Sequence, residues 1–302
     1  LTAARDDLEP AAPPAAPAAG GGAARWIGVV RRYPLAALAA LVLAAIALAA
    51  VFAPFMGTTD PTALSPATRL RPPSPDHVLG TDHLGRDIWS RIVYGARVSV
   101  VVGLAVAALA VLVGLFVGLF TGFVRWLDPI VMRIMDGLMA IPGILLAIAL
   151  VSVSGASLLT VVAAIVVPEV PRVVRLVRAV VLSVREEPYV EAAVSVGTPL
   201  PLILWRHVLP NCVPPLIVQA TYICASAMLT EAILSFLGAG TPPTVPSWGN
   251  MVAEARLLFQ IRPWNLLFPG IALAVTILAV NVLGDALRDH LDPKLAKRVG
   301  HR

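Results

Sequence analysis

An all-α polytopic membrane protein with six transmembrane helices is the fold class this sequence predicts, and three observations carry the prediction. Of 302 residues, 58% are hydrophobic and 14% charged, with a mean hydropathy of +0.84; soluble domains carry about 25% charged residues. Apolar runs long enough to cross a hydrocarbon core recur along the chain. These runs do not alternate apolar with polar residues, so a closed barrel is excluded.

Residues 1–24 are Ala/Pro/Gly-rich with few bulky apolar side chains and are expected to form a disordered cytoplasmic tail. A membrane domain follows over 25–295, and 296–302 form a short cytoplasmic tail. Arg25, Arg31 and Arg32 precede the first span, Leu35 to Phe55. That run exceeds the 7–15-residue core of a signal peptide, so an uncleaved anchor is expected. The second span is expected from Ser99 to Phe123, the third from Gly137 to Ser154 and the fourth from Leu158 to Val180. Pro168, Glu169, Pro171 and Arg172 are expected to interrupt the fourth. The fifth runs from Pro214 to Gly238 and the sixth from Trp264 to Gly284. The longest loops, 57–97, 181–213 and 239–263, leave no room for a soluble domain.

The distribution of basic residues orients these spans. Arg69, Arg71, Arg86, Arg91, Arg97, Arg256 and Arg262 fall outside when the N-terminus is inside, which leaves 16 of the 23 basic residues on the inner side or in its flanking turns. This obeys the positive-inside rule and places both termini in the cytoplasm. The net charge of +5 therefore reflects orientation and not nucleic-acid binding. Cys212 and Cys224 share one apolar segment, where one helix would hold them about 18 Å apart. They cannot pair at that distance and read as buried thiols.

The loop 185–212 is the most informative part of the chain. Pro188 suits the first turn of a helix, where its missing N–H costs nothing, and Gly197 suits a left-handed closing position. Pro199 and Pro201 stop continuation. The expected helix has about nine residues and is roughly 13 Å long.

Glu191-Ala192-Ala193, three residues, Gly197, nine residues and then His207-x-Leu209-Pro210 resembles the EAA loop of binding-protein-dependent ABC importers. Two further strings narrow the resemblance. One is His77-Val78-Leu79-Gly80-Thr81-Asp82-His83-Leu84-Gly85-Arg86-Asp87, before the second span. The other is Glu231-x-x-Leu234-Ser235-Phe236-Leu237-Gly238, with Pro246-Ser247-Trp248-Gly249 beyond it. With the ending Asn281-x-Leu283-Gly284-Asp285-x-Leu287-Arg288-Asp289, the chain resembles the C-type permease subunit of dipeptide, oligopeptide and nickel importers from about residue 30 to 295.

The resemblance implies a type I ABC importer permease fold in a bacterial inner membrane. It also implies a second, homologous permease subunit, two cytoplasmic ATPases, an extracytoplasmic substrate-binding protein and a peptide cargo. Glu191, Ala192 and Ala193 would lie in a coupling helix docked in an ATPase groove, and Gly197 would make the turn between two short helices. Arg206, His207, Leu209 and Pro210 would complete the coupling surface. Motion of the ATPases would then rock the spans between inward- and outward-open states.

The sequence contains no G-x-x-x-x-G-K-[ST] phosphate loop, no G-x-S-x-G elbow and no H-E-x-x-H pair, so the chain is expected to be non-enzymatic. It is expected to bind no cofactor of its own, with ATP and Mg held by partner subunits. Glu169, Arg172 and Glu231 are candidates for the translocation path, because an ionisable group within a span is a functional candidate by default. A structural ion pair for Glu169 and a packing role for Glu231 are the competing readings. Arg172, Arg175 and Arg178 read as interface anchors that snorkel. Asp76, His77, Asp82, His83 and Asp87 match no defined metal-ligand spacing and read as a capped, structured loop. Peptide cargo leads; nickel, glutathione or another small solute is the alternative. A proton-coupled secondary transporter would need internal repeats and several midplane ionisable groups, and the sequence offers neither.

Overall fold

The computed structural model describes residues 33–291; the expected tails at 1–24 and 296–302 lie outside them. The chain forms two units, Leu1–Pro34 and Leu35–Arg302, and the architecture below is that of the second. Among the described residues there are ten α-helices and no strands, only an isolated bridge between Thr81 and Asp87.

Helix α1 is Pro34–Val51, and α2, Ile88–Phe123, is the longest at 36 residues. Next come α3 (Leu127–Ala140), α4 (Gly143–Ser154) and α5 (Leu158–Val184). Helices α6 (Pro188–Ser195) and α7 (Leu200–Ile203) form the polar loop, and a π-helical turn, Leu204–Val208, leads into α8 (Leu209–Phe236). A short helix α9 (Trp248–Ala255) precedes α10 (Trp264–Leu291).

Four stretches are both long and apolar enough to cross a membrane: Pro34–Val51, Ile88–Phe123, Leu200–Phe236 and Trp264–Leu291. The expected third span, 137–154, is divided at Ile141-Pro142, and α3 and α4 meet there at 87°. Proline disfavours a helical residue before it, and Ile141 is extended (ψ 128°). Twelve residues of α4 rise only about 18 Å, so α4 crosses a bilayer only together with α3.

The expected break at Pro168 and Pro171 is absent, and α5 is one helix of 27 residues. Each proline withdraws one backbone donor. Packing holds the helix through the defect: a Cβ on Gly143 of α4 would stand 3.1 Å from the Pro168 ring. Four charges, Glu169, Arg172, Arg175 and Arg178, set α5 apart from the apolar helices. The six expected spans thus become four apolar helices, one bent pair and one charged helix.

The core lies where α2 packs along α5. Gly114, Gly118 and Gly122 recur every four residues on α2 and meet Val173, Val177 and Val181 at the same spacing on α5. A Cβ on Gly118 would lie 2.7 Å from the Val177 Cβ, and one on Gly122 would lie 2.7 Å from that of Val181. Helices in lipid gain from such close approach through dispersion, because burial of apolar surface gives no hydrophobic advantage there.

Candidate functional site

The polar loop is built by local rules. Glu187 is extended, Pro188 begins α6, and Gly197 takes a left-handed φ of +82°. Beyond the helix, Thr198 N–H donates to the Ala193 carbonyl (3.0 Å) and Gly197 N–H to that of Val194 (2.9 Å). Together these two bonds make a Schellman closure, which satisfies carbonyls that the helix end would leave bare.

Val190 is the one residue of α6 fully buried, at 1% exposure. Glu191, Ala192, Val194 and Ser195 are exposed, Val196 is 86% exposed and Ala193 is half-buried. On the far side of the loop, Trp205 is 72% exposed and Arg206 is exposed, while His207 and Leu209 are half-buried and Pro210 is open. The His207 ring lies 5.9 Å from that of Tyr189. Asn211 Nδ2 donates to the His207 carbonyl (2.7 Å) and to Tyr189 Oη (3.3 Å).

The structure brings Tyr189 of α6 beside His207 and Asn211; Glu191, Ala192 and Gly197 are exposed on α6 and its closing turn, and Arg206 and Pro210 are exposed on the far side of the loop. Tyr189 and Asn211 clasp the two halves of the loop, and neither stood among the residues expected to form the coupling surface. Asn211 stands one helical turn after His207, a spacing that lets its amide reach back to a carbonyl. Beside α6 a cleft of about 470 Å³ is lined by Arg125, Arg185, Glu186 and Glu191. Exposed Val194 lines the same cleft, so apolar and charged groups meet on a surface suited to a protein partner.

The arginines of α5 are not simple interface anchors. Arg172 Nη1 reaches both oxygens of Glu169 at 3.1 Å, Arg175 pairs with Asp136 (2.5 Å), and Arg178 pairs with Asp128. Two of these contacts tie α5 to α3. Glu169 is 6% exposed and is held within its own helix by Arg172.

Glu231 is fully buried between α8 and the segment that follows it. Its Oε1 accepts from the hydroxyls of Ser235 (2.9 Å), Ser247 (3.0 Å) and Thr241 (3.3 Å), and Oε2 has no hydrogen-bond partner. Ser247 also caps α9 by accepting from Asn250 N–H. The structure thus sets Glu231 at the root of the α8–α9 hairpin, apart from Glu169 and Arg172.

At the same end of the bundle, Asp82 binds Arg86 Nε (2.6 Å) and Arg91 Nη1 (2.6 Å), and Glu254 of α9 binds both arginines (2.5 and 2.7 Å). Burial works against the Asp82 carboxylate, but Arg86 and Arg91 hold its pKa below the ordinary value. His83 lies near both acids, yet the carboxylates are already occupied by guanidinium groups. Asp87 caps α2 by accepting from Ser90 N–H (2.8 Å) and meets His77 Nδ1 at 3.0 Å. The first loop is therefore an ion-paired, capped element.

A helical bundle with membrane-length apolar spans and a short exposed loop helix defines the class of polytopic helical membrane proteins. The chain belongs to the family described as binding-protein-dependent transport system inner membrane component, which matches residues 97–297. It is 50% identical over 272 residues to a probable peptide ABC transporter permease protein, y4tQ, of Sinorhizobium fredii, covering 90% of this chain and 93% of that one. It is 42% identical over 267 residues to the dipeptide transport system permease protein DppC of Alkalihalophilus pseudofirmus, covering 88% of each. A chain from an inward-facing crystal structure of the MetNI methionine ABC transporter shares the fold, with a TM-score of 0.55 at 18% identity. The match covers 67% of this chain and 96% of that one.

Proposed function

We propose that this chain is the transmembrane permease subunit of an ATP-driven importer of dipeptides or short oligopeptides, and that residues 188–210 couple it to cytoplasmic ATPases. The observation that carries the coupling role is the exposed, Schellman-closed helix Pro188–Ser195 beside the charged cleft at Glu191. Such a helix offers a partner a fixed end, an acidic side chain and an apolar rim at once. The peptide cargo is supported by the permeases of peptide systems to which the chain is similar over nearly its whole length.

In this reading ATP and Mg are bound by two ATPase subunits and cargo is delivered by an extracytoplasmic binding protein. A second, homologous permease completes the path, and both termini face the cytoplasm. Closure of the ATPase pair moves α6, and the clasp of Tyr189, His207 and Asn211 passes that movement to α8. Alternating access follows as rigid-body rocking of the spans.

The test is reconstitution of the chain with its permease and ATPase partners and binding protein, comparing wild type with Glu191→Lys. The proposal requires dipeptide-stimulated ATP hydrolysis and uptake in the wild type, with both uncoupled by the substitution. Dipeptide uptake driven by a proton gradient without ATP would overturn it.

A further inference from the structure

Two adjoining cavities of about 620 and 230 Å³ open between α8 and α10 at the end of the bundle that carries the coupling loop. Val218, Gln219 and Arg288 line both, so the two form one groove. Their sizes bracket the lower part of the range of small-molecule sites.

Asp285 and Arg288 sit one turn apart on α10, both exposed, and both line the groove. The i, i+3 spacing invites an ion pair. None forms: neither side chain makes an ion pair or hydrogen bond among the described residues. The expected sixth span ends at Gly284, so both charges lie past the membrane on the coupling-loop side, one of each sign along a single groove. They suit a ligand that carries both signs.

The facing wall offers hydrogen bonds to match. Pro214 and Pro215 of α8 have no N–H, so the carbonyls of Pro210 and Asn211, four residues earlier, lose their usual helical donor. Both of those residues line the groove, and Gln219 and Asn281 add side-chain amides. A metal ion would be repelled by Arg288 and a simple anion by Asp285. Helical neighbours three apart have Cβ atoms about 5–6 Å apart, close to the roughly 7 Å between the ends of an extended two-residue peptide.

We propose that this groove is a second binding site of the permease, on the coupling-loop side, for a short zwitterionic peptide. Asp285 takes the ammonium end, Arg288 grips the carboxylate through a charge-assisted fork, and the exposed carbonyls and Gln219 meet the peptide bond. The inference rests on the peptide-import reading and adds a site where imported product is held after release from the path.

The experiment is equilibrium binding of radiolabelled alanyl-alanine to the assembled transporter in nanodiscs, without binding protein or ATP. Saturable binding is expected in the wild type, with Asp285→Asn and Arg288→Gln each weakening it at least tenfold. N-acetyl-alanyl-alanine amide, which lacks both charges, is expected not to compete. Two further variants separate binding from misfolding: the exchange Asp285→Arg with Arg288→Asp recovers part of the affinity, and Gln219→Leu lowers it with both charges intact. Equal binding by wild type and the charge variants overturns the site. So does absence of saturable binding in a transporter that imports alanyl-alanine. A wild-type transporter that imports no dipeptide overturns the peptide reading, and this site with it.

Discussion

Replacing Gly118 by alanine tests the seam between α2 and α5 with a single methyl group. The new Cβ would lie 2.7 Å from Val177 Cβ, 2.9 Å from its Cγ1 and 3.0 Å from the Val174 carbonyl. Ordinary carbon contacts are about 3.5–4.0 Å, so the helices must part by about 1 Å or distort. Val177 is fully buried and branched at Cβ, so it has no freedom to swing aside. Overpacking of this kind costs about 1–3 kcal/mol. Val177→Ala on its own removes two methyl-sized groups and the dispersion contacts they make, leaving a cavity that costs about 1 kcal/mol. The two changes should compensate when combined, because the added methyl enters the space that the valine vacates. The assay is thermal unfolding of the purified transporter for wild type, both single variants and the double variant. A favourable coupling of at least about 1 kcal/mol is expected, as for residues in direct contact. Additive losses, or a Gly118→Ala protein as stable as wild type, would refute the reasoning.

Three further outcomes are expected. Gly197→Ala meets no neighbour within 4 Å, so its cost is backbone strain alone, about 1–2 kcal/mol at a left-handed position; dipeptide-stimulated ATP hydrolysis should fall, and Gly197→Asn should recover part of it. Asp82 has a depressed pKa in the folded protein, so its stabilisation is complete above its ordinary value near 3.8 and is lost as pH falls through the lower folded value. Melting curves between pH 5 and 3 should therefore slope for wild type, while Asp82→Asn is flatter and about 3 kcal/mol less stable at pH 7. Glu231→Ala strands the hydroxyls of Ser235 and Ser247 and should cost about 2–3 kcal/mol; limited proteolysis of the segment 237–247 should then accelerate relative to wild type.

The features legible in the sequence are those that neighbouring residues decide. Pro188 and Gly197 bracket α6 through backbone geometry alone, and the structure closes the helix with Gly197 at the left-handed position. The bend at Ile141-Pro142 was signalled by the same rule, but the apolar run across it reads as continuous. Pro168 and Pro171 mislead in the opposite direction: proline weakens a helix locally, and packing of α4 through Gly143 outweighs that weakness. Least legible are contacts between distant positions. Arg86 and Arg91 find Glu254 more than 160 residues away, and Glu231 finds Ser247 across a turn. Charge and spacing mark such residues as in need of partners without naming them.

Val190 is the one fully buried side chain of α6, and Ala193, three residues on, packs against the core beside it. A rod held along its length resists tilting and can only slide. A rod held over a single turn behaves as a rocker on a bearing, and Tyr189, at the edge of that turn, is the residue clasped to the start of α8. A small displacement at the exposed Gly197 end is thereby converted to rotation about Val190. The direction in which α8 answers is set by where that bearing stands.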